Sequence, residues 1–198
     1  MRLKPGGGSW VRQAEAIRAA GPLGIICVIL MGGDKVKAIE AIKGRRSIRK
    51  YRPDPVPREI IEDIVDCGRL APSARNDQPW EFVVVTEQSI REEIAAAARF
   101  GKFIADAPVC LLAFARPTRR FVEDTSAAFE NMLVAAYAHG LGTCWVAGHN
   151  TPYENEIARI CKVPGDYRLV AMSPLGYPDE EGAVHKRELE EVLHWESF

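Results

Sequence analysis

Four short apolar runs separated by segments of helical spacing constrain the fold of this chain more than any other feature. Residues 82–85, 109–114, 143–146 and 167–172 read as strands. Between them the pattern predicts an alanine-rich helix over 89–99, a long helix over 122–139 and a short one over 153–161. Phe129, Met132, Leu133 and Tyr137 share one side of the long helix, and Gly140 is its expected C-cap. Upstream, Asp34 is placed to cap a helix carrying Val36, Ile39 and Ile42. A second helix carries Ile60, Ile61, Ile64, Val65 and Leu70, with Pro57 at its start and Pro72 beyond its end. A last helix is expected over 186–193. This order implies helices packed around one sheet, in an α/β or an α+β arrangement.

The chain of 198 residues is long enough for one domain with an appendage, and its 47% hydrophobic and 27% charged residues suit a protein that buries a real core. A net charge of −1 gives no bulk attraction to nucleic acid or to an anionic membrane. The basic cluster Lys43, Arg45, Arg46, Arg49, Lys50 and Arg52 is therefore a local feature. Five scattered cysteines with no Cys-x-x-Cys pair argue against a disulfide framework, a zinc site or an iron–sulfur cluster. They point to a reducing, cytoplasmic setting. Cys67, Cys110 and Cys144 lie in apolar or helical stretches and read as packing residues.

Residues 1–33 form an N-terminal extension of different character, ahead of a domain spanning 34–198. Pro5-Gly6-Gly7-Gly8-Ser9 is flexible, residues 10–20 suit a short helix, and residues 23–31 are apolar. Nine apolar residues fall short of the roughly 20 that cross a bilayer. The late position of the run, with Glu15 ahead of it, is a poor match to a secretory signal. Either the run packs as an arm on a partner, or translation starts at Met31.

Arg45-Arg46-Ser47-Ile48-Arg49 sets three guanidiniums and a hydroxyl within five residues, a strong grip for a phosphate dianion. No Gly-x-Gly-x-x-Gly follows a strand and no Walker A segment exists, so side chains must hold any phosphate. Alone, such a run is more often a solvated face than a ligand site. Its companion is Ala71-Pro72-Ser73-Ala74-Arg75-Asn76-Asp77-Gln78-Pro79-Trp80, a loop of neutral groups that donate and accept hydrogen bonds and can read a heterocycle and its polyol. Glu130-Asn131-Met132-Leu133, Gly140-Leu141-Gly142-Thr143, Gly176-Tyr177-Pro178 and a basic residue near the C-terminus follow in order. With these landmarks the chain resembles the nitroreductase family over about residues 34–198.

The resemblance implies an α+β sandwich with a central, mainly antiparallel sheet flanked by helices. It also implies an obligate homodimer holding FMN at the subunit interface. Arg45 and Ser47 would bind the FMN phosphate, Arg46 would assist, and Arg187 or Lys186 would complete the pocket. Pro72, Ser73, Asn76 and Gln78 would come from the other subunit. A backbone N–H of Ala147 or Gly148 would face flavin N5. Arg49 would be the catalytic group that stabilises the reduced flavin near N1 and C2. The implied reaction passes electrons from NADH or NADPH to a nitroaromatic or a quinone in two half-reactions. Two alternatives stay open: a flavin-binding module without turnover, and a specialised dehalogenase-like or flavin-consuming enzyme, although residues 99–107 leave little length for a lid.

Other residues have plainer readings. Asn131 suits a helix-packing hydrogen bond, and Trp80 and Trp145 suit core or wall positions. Neither Cys144 nor Ser73 has a neighbouring base, so neither reads as a nucleophile. The four histidines lack metal-ligand spacing, and only His149 falls near the expected cleft.

Overall fold

The computed structural model describes residues 36–183 and 185–198, so the readings made for residues 1–33 and for Asp34 lie outside the described residues. The unit Ala38–Phe198 is compact. Its centre is a pair of long strands, β2 (Val109–Ala115) and β5 (Arg168–Gly176). Every residue of β2 is buried, as is all of β5 after Arg168. β1 (Trp80–Val85) lies outside β2, while the short β3 (Gly142–Thr143) and β4 (Val146–Ala147) both pair with the far side of β5. All four ladders are antiparallel, which settles the two architectures in favour of α+β. Helix α3 (Gln88–Ala97) and a 3-10 turn at Lys102–Ile104 return the chain to the end of β1 that it left. β2 therefore starts opposite Val85, with Cys110 as its partner.

Alternation along β2 builds the two layers. Val109, Leu111 and Ala113 face α2 (Arg58–Arg69) and α4 (Phe121–Ala138), where Ile60, Ile64, Phe129, Met132 and Leu133 fill the core. Cys110, Leu112 and Phe114 face α3 and α5 (Glu154–Ile160), against Ile94 and Ile157. Truncating a side chain as enclosed as Leu111 costs about 2–5 kcal/mol. Helix α1 (Ala38–Gly44) lies close on α4: a Cβ built on Gly44 would sit 2.1 Å from the Tyr137 hydroxyl oxygen. Gly140 follows α4 with a φ of 77°, the left-handed turn expected of a C-cap glycine. No helix among the described residues is long and apolar enough to cross a membrane.

The sequence pattern misleads at five places. The run 143–146 is two strands, broken at Cys144-Trp145, and Trp145 is half-exposed while stacking edge-on against Phe129. β5 continues past residue 172 to Gly176, with Pro174 in register with Cys110. Phe82-Val83-Val84-Val85 reads as a buried strand, yet β1 is an edge strand, buried only at Trp80 and Val85. The apolar side chains Ile39, Ile42 and Leu70 are exposed, because Ala41 is the buried residue of α1 and Leu70 lies just past α2. The expected helix over 186–193 is only a 3-10 turn at Leu189–Glu191, capped by Glu188 and packed by no buried residue.

Candidate functional site

The basic segment runs along the β3 edge of the sheet. Ser47 bridges to Thr143, and the Ile48 N–H donates to the Thr143 carbonyl at 2.8 Å. Gly142 permits this contact, since a Cβ there would lie 2.8 Å from Ile48 Cβ. Glu180 fixes the segment from the C-terminal side: its Oε1 accepts from the N–H of Arg49 at 2.6 Å and of Lys50 at 3.2 Å. The buried Tyr51 donates its hydroxyl to the Ile48 carbonyl. Around Cys144, burial pushes the thiol upward, and Arg49, Ser47 and Arg45 pull it the other way. Charge or a hydroxyl from three of the predicted phosphate and flavin residues thus acts on one buried sulfur, and the net upward shift keeps it a thiol rather than a nucleophile.

The guanidiniums differ in how far they are committed. Arg45 has one long ion pair, 3.4 Å to Glu130 on α4. Arg49 is exposed, with its guanidinium 5.8 Å from the Phe103 ring centre. Arg46 instead turns back on the chain and donates to the Lys43 and Arg45 carbonyls at 2.8 and 2.7 Å, closing the end of α1. Lys186 and Arg187 are exposed on a segment that leaves from this same place, since Gly182 packs against Arg46 and Ile48.

Four residues beyond Thr143 is the second predicted element. Ala147 pairs with Ala171, and the Gly148 N–H donates to the Val170 carbonyl at 3.1 Å. Antiparallel pairing alternates, so the Ala147 N–H points away from β5. Gly148 serves packing within the sheet, for a Cβ there would lie 2.5 Å from Leu169 Cγ. The turn beyond is fastened by Tyr153, whose hydroxyl donates to the Ala147 carbonyl at 2.8 Å, and by Glu154, which accepts from the Asn150 N–H at 3.0 Å. His149 meets Phe121 edge-on at 5.2 Å.

The loop 71–78 is built separately. Arg75, Asn76 and Gln78 have φ of 56°, 60° and 44°, a left-handed conformation uncommon for residues with a Cβ. Ser73 Oγ accepts from the Gln78 N–H at 3.0 Å and closes the loop. Pro72, Asn76 and Gln78 are exposed. The anchor is Asp124 on α4, 8% exposed, whose Oδ1 accepts from the Ala74 N–H at 3.0 Å. Neither Asp124 nor Glu180 carries a distinctive mark in the sequence, and the signal that points to Asp124 is an acid in the first turn of the long helix. Asn131 makes the packing bond expected of it, donating to the Cys67 carbonyl at 3.2 Å.

The model of the nitroreductase family matches this chain over residues 42–101 and 98–177. The chain belongs to the nitroreductase family. A family member from Methanothermobacter thermautotrophicus, provisionally named an NADH dehydrogenase/NAD(P)H nitroreductase, is 36% identical over 74% of this chain and 80% of its own length. An FMN-dependent nitroreductase from Clostridium difficile superposes with a TM-score of 0.77 at 29% identity, covering 81% of this chain and 99% of its own. A provisionally named nitroreductase from Desulfovibrio desulfuricans, solved in complex with FMN, does so at 0.71 and 30%, covering 81% and 97%. The expected family and α+β nitroreductase fold are borne out. The expected oxidoreductase class and flavin cofactor are those of the family to which the chain belongs.

Proposed function

We propose that this chain is an FMN-dependent oxidoreductase that passes electrons from NAD(P)H to a small acceptor such as a nitroaromatic or a quinone. The observation that carries this reading is one sheet edge bearing both an incompletely neutralised basic segment and, four residues from its contact point at Thr143, the outward N–H of Ala147. Arg45 and Ser47 supply charge and a hydroxyl suited to a phosphate, at roughly 1.5–3 kcal/mol for each charge-assisted bond. Arg46, Lys186 and Arg187 complete the basic surroundings. FMN, when bound, supplies the hydride chemistry. The Ala147 N–H is the free donor of the Ala147-Gly148 pair for flavin N5. Arg49 offers positive charge where negative charge develops, an electrostatic role rather than a proton transfer.

Pro72, Ser73, Asn76 and Gln78 belong to a loop held by α4 rather than by the basic segment, which favours their serving the site of a partner subunit in a homodimer. The exposed Ile39, Ile42, Leu189, Trp195 and Phe198 supply apolar surface for such a partner. The cysteines Cys67, Cys110, Cys144 and Cys161 are all free, in keeping with a cytoplasmic setting.

Anaerobic mixing of the purified yellow protein with NADH or NADPH tests the reading. Flavin absorbance should bleach and return when a quinone is added. Colour that persists with both nucleotides would point to a binding module instead. In a fully loaded Arg49→Ala variant, reduction should slow at least tenfold while flavin stays bound, and an unchanged rate would remove Arg49 from the chemistry.

A further inference from the structure

A cavity of about 310 Å3 opens beside the 71–78 loop, lined by Ala74, Arg75, Asp77, Arg119 and Arg120. Three exposed arginines from two separate segments of the chain line it. Arg120 is paired with Glu123 at 2.9 Å. Among the described residues, neither Arg75 nor Arg119 has an acidic side chain in ion-pair range. Asp124, beneath the loop, is turned to the Ala74 N–H. Asp77 is the acidic residue among those lining the cavity, and it makes no ion pair with either arginine. The volume is at the low end for an organic ligand and larger than a bare ion requires. The Arg75 backbone is left-handed and follows Ala74, whose N–H is anchored to Asp124, so the backbone of one wall of the cavity is set before anything binds. Phe121, next to Arg120, meets His149 edge-on two residues from Ala147, which links the Arg119-Arg120 wall of the cavity to the proposed flavin edge of the same chain.

We propose that this cavity receives a phosphate monoester on the electron donor, the 2′-phosphate of NADPH, and so selects NADPH over NADH. Paired guanidiniums suit a phosphate dianion and have no counterpart to grip on NADH at that position. The inference rests on the oxidoreductase reading above. Its test has a part that needs no turnover.

Calorimetric titration of the flavin-loaded protein with 2′,5′-ADP and with 5′-AMP should give at least tenfold tighter binding of 2′,5′-ADP, weakening steeply with salt. In an R75N/R119A variant that margin should fall to about twofold or less. Asparagine is chosen at 75 because it tolerates the left-handed backbone. In steady state, the ratio of KM for NADPH to KM for NADH should rise at least tenfold in the same variant, and R119K should recover part of the loss. Equal binding of the two probes by the parent would overturn the proposal. So would a variant that shifts both donors alike, or one that shifts only KM for an anionic acceptor. Flavin content, read from absorbance on the same samples, separates the two readings. Protein that takes up no FMN undermines the oxidoreductase, whereas flavin-loaded protein blind to the 2′-phosphate undermines only the cavity's role.

Discussion

The basic segment 45–49 and the loop 71–78 serve one proposed ligand but are held in different ways. The basic segment borrows the regularity of the sheet: a bridge to Thr143, a backbone bond from Ile48 and the Glu180 carboxylate fix it at several points. The loop has no strand beside it. It holds three left-handed residues, closes on its own Ser73 hydroxyl and is tied down by one buried carboxylate. Redundant backbone bonds tolerate the loss of any single side chain, so substitutions in the first segment should read out as lost ligand contacts. A singly anchored loop should instead lose its shape.

The largest effect that would sharpen this contrast is expected at Arg45. Arg45→Ala removes a half-buried charge whose only ion pair among the described residues is the 3.4 Å contact with Glu130. It should leave the fold intact and weaken FMN retention by roughly tenfold to a hundredfold, the equivalent of one charge-assisted bond of about 1.5–3 kcal/mol. Dialysis followed by flavin absorbance reads this directly. A variant as yellow as the parent would break the assignment of the segment to the phosphate.

Next in size is Asp124. Asp124→Ala leaves the Ala74 N–H without its acceptor, at about 1–3 kcal/mol. Amide exchange should quicken locally at residues 74–78, and flavin retention should fall with it. Asp124→Asn keeps an acceptor oxygen and should behave nearly as the parent. If the two variants exchange alike, the loop is not singly anchored and the comparison fails.

The same contrast explains what could be read in the sequence. Arg45, Ser47, Ser73 and Asn76 can be named as candidates because their chemistry lies in short local strings. The residues that hold them cannot. Glu180 reaches Arg49 across 131 positions and Asp124 reaches Ala74 across 50, and an acid at such a distance carries no local mark. Strand existence was legible from apolar runs, but strand ends were not. Pro174 reads as a breaker, yet it pairs within β5, and Trp145 breaks a run that looks continuous. Arg46 shows a further limit, since residue type suggests a phosphate ligand while geometry commits its guanidinium to the end of α1.

The smallest expected effect concerns the turn beyond Ala147, which is held by one buried acid together with the Tyr153 hydroxyl. Glu154 is 5% exposed, bonds Arg168 at 3.0 Å through Oε2, and also accepts from the Asn150 N–H. Burial alone would raise its pKa, but the bonds from Arg168 and Asn150 outweigh burial and hold it below the ordinary carboxylate value. A carboxyl depressed in the folded state stabilises above its unfolded pKa of about 4.3, and that contribution is lost as pH falls through the folded value. Glu154→Gln keeps the shape and removes the charge. Because Arg168 is itself 41% exposed, the cost near pH 7 should be only about 0.5–1 kcal/mol. Thermal melts of parent and variant should therefore differ by a few degrees at neutral pH and converge as the pH falls below the unfolded value of about 4.3 and through the lower folded one. A gap that stays constant, or widens in acid, would mean that the turn is held by Tyr153 rather than by the ionised Glu154, and that it shares the redundancy of the basic segment instead of the dependence of the loop.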